Sequence, residues 1–169
     1  MIARTPLAGR SADLARLGGV EIAFATQVDV RAADGSALGF PTQPNTWAFV
    51  GGREVLWLGP DEWLVVAAAE AADVVADLVS SFAGVHHSVV DVSANRAVIE
   101  LADAGRRELL SSACPIDLDP RSWSDGMCAQ TLVGAAPVLL QERASDTRLF
   151  VRPSFATYVI DLLLAGVER

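Results

Sequence analysis

Lysine is absent from this 169-residue sequence, and its 13 basic residues are all arginines, scattered along the chain. The net charge is −8, and no run of clustered positive charge is present. Proteins that neutralise phosphates need such clusters, and so do proteins that associate with an anionic membrane surface. The composition therefore predicts no nucleic-acid partner and no membrane association.

Residues that bind metals or nucleotides are also scarce. The two histidines, His86 and His87, are adjacent, so on a strand they would point to opposite faces instead of converging on a metal. The two cysteines, Cys114 and Cys128, have no identifiable partner base and fit small buried side chains better than nucleophiles. Neither GxGxxG nor GxxxxGK[ST] occurs, so the sequence implies no metal and no nucleotide cofactor in this chain.

Long apolar runs are missing as well. The N-terminal MIARTPLAGR lacks the apolar stretch of a signal peptide, and Asp161 interrupts YVIDLLLAGV, the nearest approach to a membrane helix. We therefore expect a cytoplasmic protein with reduced thiols. Only 20% of the residues are charged, which either a hidden subunit interface or simple alanine and valine richness would explain.

Hydrophobic periodicity and turn residues divide the chain into elements. Residues 1–18 lack periodicity and are expected to form an N-terminal arm that is ordered only when a partner holds it. Residues 19–169 are expected to form a single α+β domain, with two subdomains at about 19–87 and 88–169 as an alternative. The predicted strands cover residues 20–31, 47–50, 54–58, 63–67, 88–92, 96–101, 128–133, 137–142 and 147–152; the predicted helices cover 69–83, 103–113 and a segment from 153 onward.

Two segments of the chain have the same pattern. LVVAAAEAADVVADLV (64–79) and LFVRPSFATYVIDLLL (149–164) each follow a predicted hairpin, end a strand and pass through a short joint into a helix. This repeated pattern favours two ferredoxin-like strand-strand-helix units. The first helix has a stripe of Val74, Val75, Leu78, Val79 and Phe82, and the last is expected to bury Phe155, Tyr158, Val159, Leu162 and Leu163.

The stretch WLGPDEWLVV carries two of the four tryptophans and two carboxylates. Asp61 and Glu62 are neighbours and would diverge on a strand, so we interpret them as a turn residue and a solvated acid instead of a catalytic pair. Gly59 and Pro60 predict a tight hairpin that brings Trp57 and Trp63 near each other. Trp57, Asp61 and Trp63 are thus structural or interface candidates, facing either the core or a partner.

A second candidate pair is Asp91 and Arg96. Residues 88–92 and 96–101 are predicted to form a β-hairpin across Ser93-Ala94-Asn95. Asp91 and Arg96 would then clamp this hairpin, although Arg96 could instead recognise a ligand.

Four stretches, taken together, carry a family resemblance. These are LGPDEWLVV, VVDVSANRAVIELADAGRRELLSSACPIDLDP, the strand Cys128-Ala129-Gln130-Thr131 and the closing FVRPSFATYVIDLLL. In order and spacing, over about residues 20–166, they resemble the gamma subunit of heterotetrameric sarcosine oxidase. That family is similar in fold to the folate-binding aminomethyltransferase (glycine cleavage T-protein) family. The latter has a Gln-Gly-Pro helix start where this sequence has Ala102-Asp103-Ala104.

The resemblance implies a place in a complex. Its alpha, beta, gamma and delta subunits together demethylate sarcosine oxidatively to glycine, with hydrogen peroxide and either formaldehyde or methylenetetrahydrofolate as products. FAD, FMN, NAD and tetrahydrofolate are implied for the alpha and beta subunits, and zinc for delta. The gamma subunit is implied to be an assembly component without catalytic residues, bound to alpha. A stand-alone folate-binding protein of the aminomethyltransferase type is the alternative.

Overall fold

The computed structural model of the chain describes residues 5–167. Ten strands and four α-helices follow one another along these residues, which makes the fold α+β, as predicted. The strands are β1 (Gly19–Ile22), β2 (Thr26–Ala32), β3 (Trp47–Val50), β4 (Arg53–Gly59), β5 (Glu62–Ala67), β6 (His87–Asp91), β7 (Ala97–Leu101), β8 (Cys128–Val133), β9 (Ala136–Glu142) and β10 (Thr147–Val151). The helices are α1 (Ser11–Arg16), α2 (Ala71–Ser81), α3 (Arg106–Ser111) and α4 (Pro153–Val167), and a short 3-10 helix covers Ser36–Leu38.

The strands form two antiparallel five-stranded sheets. The first sheet has the order β1-β7-β10-β9-β8, and the second has the order β3-β4-β5-β2-β6. The chain correspondingly divides into two compact units, Met1–Ala23 with Asn95–Arg169, and Phe24–Ala94. The boundary that the sequence suggested, between residues 87 and 88, thus precedes the structural one, and the N-terminal residues join the C-terminal half.

The predicted N-terminal arm packs into the first unit from Thr5 onward. Leu7, Leu14 and Leu17 are each no more than 3% exposed and belong to the core of that unit. Glu21 on β1 accepts a hydrogen bond from the Thr5 hydroxyl at 2.6 Å. Three spaced leucines thus anchor a segment that otherwise lacks periodicity. Residues 1–4 of the predicted arm lie outside the described part of the chain.

The core of the first unit lies between one face of its sheet and helix α4. Ile99, Leu140 and Leu149 face this core from three neighbouring strands. Helix α4 begins at Pro153 as predicted, but its buried face is rotated from the predicted one, because a helix with so many apolar residues offers more than one stripe. Its buried residues are Ala156, Val159, Ile160, Leu163 and Leu164, while Phe155 and Leu162 are partly buried and Tyr158 is exposed.

The core of the second unit lies between its sheet and helix α2. Val74 and Leu78 of the predicted stripe are buried against sheet residues such as Val28 and Val65. Phe82, just beyond the last turn of the helix, is buried in the same cluster. The 3.6-residue periodicity therefore located this helix and most of its buried face, although Val79 of the predicted stripe is 43% exposed.

The single strand predicted for residues 20–31 is two strands in different sheets. β1 pairs with β7 in the first sheet, and β2 pairs with β5 and β6 in the second. Between them, Phe24 has a left-handed backbone with φ 55°, which is uncommon for a bulky side chain. Without glycine or proline at this break, the pattern of β-forming residues hid it.

The hairpin predicted across Ser93-Ala94-Asn95 does not form. β6 pairs with β2, whereas β7 pairs with β1 and β10 in the other sheet. The hairpin that Asp91 and Arg96 were expected to clamp is therefore absent. Turn-forming residues mark where a strand ends, but they do not show which strand the next segment joins.

Candidate functional site

The turn between β4 and β5 carries the first group of candidate residues. Trp57 lies directly opposite Trp63 in the strand register, which shifts between Trp57 and Gly59. Asp61 is exposed in the turn, and its backbone carbonyl accepts a hydrogen bond from the Ala32 N–H at 3.1 Å. Asp61 therefore lies at the exposed tip of a hairpin, and its backbone carbonyl ties this tip to the end of the neighbouring strand β2.

Trp63 is a core residue. Its side chain is 1% exposed, and its indole Nε1–H donates to the Pro41 carbonyl at 2.8 Å. The Phe40 ring packs edge-on against it, with 5.6 Å between ring centroids. Trp57 is half-buried and packs against the same cluster. The buried indole thus fixes the loop before β3 to the sheet, which is a structural role.

Glu62 is half-buried and paired, not a freely solvated acid as expected. The Arg31 guanidinium lies 2.7 Å from its carboxylate, across from it in the β2–β5 register. Burial raises the pKa of Glu62, the negative charge of Asp29 raises it further, and Arg31 partly offsets both effects. The carboxylate partner of Glu62 is therefore Asp29 on β2, not the neighbouring Asp61.

Asp91 organises the chain after β6. Its carboxylate accepts hydrogen bonds from the Ser93 hydroxyl at 2.5 Å and from the Ser93 N–H at 2.9 Å. These bonds lower the pKa of Asp91, because they favour the charged form. The Ser93 hydroxyl oxygen also accepts from the Gln27 N–H at 3.0 Å, which ties this bend to β2.

Arg96 immediately precedes β7 in the first unit. It borders a hollow of about 380 Å³ whose other charged lining residue is Arg152. Arg152 donates a hydrogen bond to the Asn95 side chain. The structure therefore places Asp91 and Arg96 in different units and gives each its own surroundings.

Sequence reasoning missed a buried carboxylate, Glu142, at the end of β9. Its side chain is fully buried, and Oε1 accepts from Arg106 Nη2 at 3.0 Å and from Arg107 Nη2 at 2.7 Å. Oε2 accepts from the Trp123 indole N–H at 2.9 Å and from the Thr147 hydroxyl at 2.5 Å. Ion-paired and hydrogen-bonded on both oxygens, this glutamate meets the conditions under which a buried charge is tolerated.

The Glu142 network joins four parts of the first unit: α3, the loop containing Trp123, β9 and β10. A cleft of about 530 Å³ borders it, lined by Arg106, Arg107 and Asp119 among others. Because protein donors occupy both carboxylate oxygens, proton transfer by Glu142 would require breaking the network. The signals in the sequence were the adjacent arginines 106 and 107 and an acid ending an apolar strand.

The cysteines and histidines are the remaining candidates for chemistry. Cys114 and Cys128 are buried and are not joined by a disulfide, and the Cys114 thiol lies 3.8 Å from the Thr131 hydroxyl. His87 Nδ1 lies 2.7 Å from the Val85 carbonyl. Within residues 5–167, no three histidine, cysteine or acidic side chains are grouped as a metal site would need. No helix in that same range is long and apolar enough to span a bilayer.

The sequence is similar to a defined family and to several of its members. Residues 20–167 match the family described as "Sarcosine oxidase, gamma subunit family". The sarcosine oxidase gamma subunit of Corynebacterium sp. (strain P-1) is 38% identical over 88% of this chain and 79% of its own length. That of an Arthrobacter species is 40% identical over 79% of this chain and 70% of its own length.

Solved structures give two further similarities. A chain of the heterotetrameric sarcosine oxidase from Corynebacterium sp. U-96, in complex with pyrrole 2-carboxylate, matches with a TM-score of 0.88 and 29% identity. The match covers 99% of this chain and 96% of that chain. The aminomethyltransferase T of the glycine cleavage system from Bartonella henselae matches with a TM-score of 0.64 and 12% identity. It covers 90% of this chain and 48% of that one, which shows a shared fold alone.

Proposed function

Because the chain belongs to the sarcosine oxidase gamma subunit family, we propose that it serves as the non-catalytic gamma subunit of a heterotetrameric sarcosine oxidase. The observation that carries the proposal is the near-complete structural match to a chain of such an enzyme, at a TM-score of 0.88. The partners are then an alpha subunit, bound directly, with beta and delta in the same complex. The complex converts sarcosine to glycine and hydrogen peroxide, and the methyl carbon leaves as formaldehyde or methylenetetrahydrofolate.

An assembly role without chemistry of its own agrees with the geometry. Glu142 is fully buried, and protein donors occupy both of its carboxylate oxygens. We also propose, from the family membership, that FAD, FMN, NAD and tetrahydrofolate bind to the partner subunits. Two buried cysteines that are not joined by a disulfide support a reducing compartment such as the cytoplasm.

The stand-alone folate-binding alternative is not favoured. Its support is the similarity to an aminomethyltransferase, which at 12% identity concerns the fold. Relatives at 38% and 40% identity are gamma subunits. Fold similarity does not by itself carry a function from one protein to another.

We propose that the candidate residues divide between two roles. Trp63 is structural, since a side chain that is 1% exposed and hydrogen-bonded internally presents almost no surface to a partner. Asp61 and Asp91 are exposed, and Trp57 and Arg96 are half-buried, so these four are the interface candidates. The tip of the β4–β5 turn, at Asp61, is one exposed place to test.

The assembly experiment is co-expression of the tagged chain with the alpha, beta and delta subunits of the same organism. We expect one complex containing all four chains, with flavin absorbance co-eluting with the tag and a mass by light scattering that fits one copy of each. A chain that stays monomeric and shows no binding to purified alpha subunit would contradict the proposal. Titration of the isolated chain with tetrahydrofolate, followed by tryptophan fluorescence, tests the alternative; a saturable change would favour it.

Charge reversal within the same assay tests the interface candidates. Asp61→Arg is expected to weaken capture of alpha if the hairpin tip lies in the interface, since like charges or lost pairs slow association. Asp125→Arg is the matched control, because Asp125 is an exposed acid in a loop of the other unit. Equal capture by both variants would remove Asp61 from the interface without affecting the assembly proposal.

A further inference from the structure

The second unit contains an apolar cavity that none of the roles above uses. Helix α2 packs chiefly on β2 and β6, at one side of its sheet. The other side of that sheet face, over β4 and β5, is covered instead by the segment around the short 3-10 helix Ser36–Leu38. This division leaves a cavity of about 150 Å³ between the two covering segments. Its apolar lining residues are Leu38, Phe40, Val50, Val55, Val65 and Leu78.

The walls of the cavity are well fixed. Val55 and Val65 form its floor on adjacent strands and are at most 1% exposed. Phe40 is held edge-on between the rings of Trp63 and Phe82, at centroid distances of 5.6 and 5.9 Å. Because these side chains are locked by their neighbours, the cavity does not close by simple side-chain rotation.

An ion pair borders the mouth. Arg53 Nη1 on β4 lies 2.8 Å from Asp77 Oδ2 on α2, and both residues line the cavity. The Asp77 side chain is 61% exposed, so the pair is a surface one that contributes little to stability and is screened by salt. Opening this mouth therefore costs little free energy.

We propose that this cavity is a binding site for a small neutral molecule whose apolar body is a single ring. Apart from Arg53, Asp77 and Ser81, the side chains that line the cavity are apolar and offer no group to hold water. Apolar cavities of this size accept benzene or xenon. A ring entering between Val55, Val65 and Leu78 would supply the dispersion contacts that the empty space lacks. The Arg53–Asp77 pair at the mouth leaves room for one small polar substituent directed to solvent.

Toluene is the probe, added to the full chain carrying ¹³C-labelled valine and leucine methyl groups. We expect saturable chemical-shift changes at the methyls of Val55, Val65 and Leu78. The methyls of Leu110 and Leu163, in the other core, should not respond. Shifts that stay linear up to the solubility of toluene, or that appear equally in both cores, would overturn the proposal.

The second experiment fills the cavity by enlarging one of its own lining side chains. Val50→Phe places a ring in the cavity and should abolish the response, whereas Val85→Phe adds the same ring on an exposed loop and should leave it intact. If Val50→Phe does not fold, Leu38→Phe fills the cavity from the partly buried 3-10 helix instead. A folded filling variant that retains the wild-type response would also overturn the proposal.

The third experiment measures how the Arg53–Asp77 ion pair affects the affinity for toluene. Asp77→Asn should raise toluene affinity about two- to fivefold at low salt, the equivalent of a typical surface ion pair. The ratio between variant and wild type should fall towards one as salt screens the pair. A ratio of one at low salt would show that the pair does not gate the site. Failure of any of these experiments leaves the assembly proposal untouched, since that proposal makes no use of the cavity.

Discussion

Glu142 is the residue whose surroundings are most demanding. Its carboxylate is fully buried, and it is balanced by two guanidinium groups at 2.7 and 3.0 Å. Removing one partner of such an arrangement leaves uncompensated charge in a medium that solvates it poorly. The network therefore holds only when every member is present.

Glu142→Gln is expected to lower the free energy of unfolding by about 3–5 kcal/mol. The amide offers one acceptor and two donors, so Arg106 and Arg107 lose their counter-charge while an N–H₂ group meets the Trp123 indole and Thr147 hydroxyl. Urea unfolding followed by circular dichroism measures the change. Glu108→Gln, which changes an exposed acid on α3 beside Arg106 and Arg107, is the control and should stay within about 0.5 kcal/mol. A Glu142→Gln loss below about 1 kcal/mol would contradict this account.

The two candidate residue groups differ in how far the sequence could predict them. Gly59 and Pro60 form a tight turn, and a tight turn fixes which residues face each other. The sequence could therefore predict that Trp57 lies opposite Trp63. The Glu142 network was not, because its donors come from residues 106, 107, 123 and 147, which only the folded chain brings together.

At the scale of elements, strand positions were predictable, whereas strand partners were predictable only across a tight turn such as the one between β4 and β5. Residues 47–50 and 128–133 were predicted as strands and are β3 and β8 within the same bounds. Alternation and turn residues are local signals, so they locate a strand well. Pairing depends on which distant segment arrives alongside, which is why the β6–β7 hairpin was wrong and why β1 and β2 were taken as one strand.

The turn between β8 and β9 is packed tightly against α4. Gly134 has φ 58°, and a Cβ there would lie 2.4 Å from the Tyr158 hydroxyl and 2.5 Å from Leu162 Cδ2. The Tyr158 hydroxyl in turn accepts a hydrogen bond from the Ala135 N–H at 3.0 Å. The glycine thus serves both the backbone conformation and the contact between the hairpin and the helix.

Gly134→Ala is expected to destabilise the protein by about 2–4 kcal/mol, the sum of a left-handed alanine and a displaced Tyr158. Gly126→Ala is a matched control, since Gly126 also has a positive φ, 88°, but open space around it. That variant should cost only about 1 kcal/mol. Thermal unfolding of both variants measures the difference, and equal losses would show that the packing on α4 contributes nothing.

The whole chain is not built as two consecutive halves. One unit combines Met1–Ala23 with Asn95–Arg169, so its two sequence segments are separated by the entire second unit. β1 is an edge strand of the first sheet, and Arg10 beside α1 pairs with Asp161 on α4 at 2.5 Å. The first unit is therefore complete only when the N-terminal segment has joined residues from the far end of the chain.

The contribution of the N-terminal segment can be measured in the isolated full chain. Leu14 is 2% exposed in the core of the first unit, so Leu14→Ala should lower the free energy of unfolding by about 2–5 kcal/mol. An arm held only by a partner subunit would give no loss in the absence of that partner. Leu132→Ala is the control, since Leu132 is 44% exposed and its truncation should cost below about 1 kcal/mol. Urea unfolding of both variants without partner subunits decides between a core segment and an arm, and a Leu14→Ala chain as stable as wild type would favour the arm.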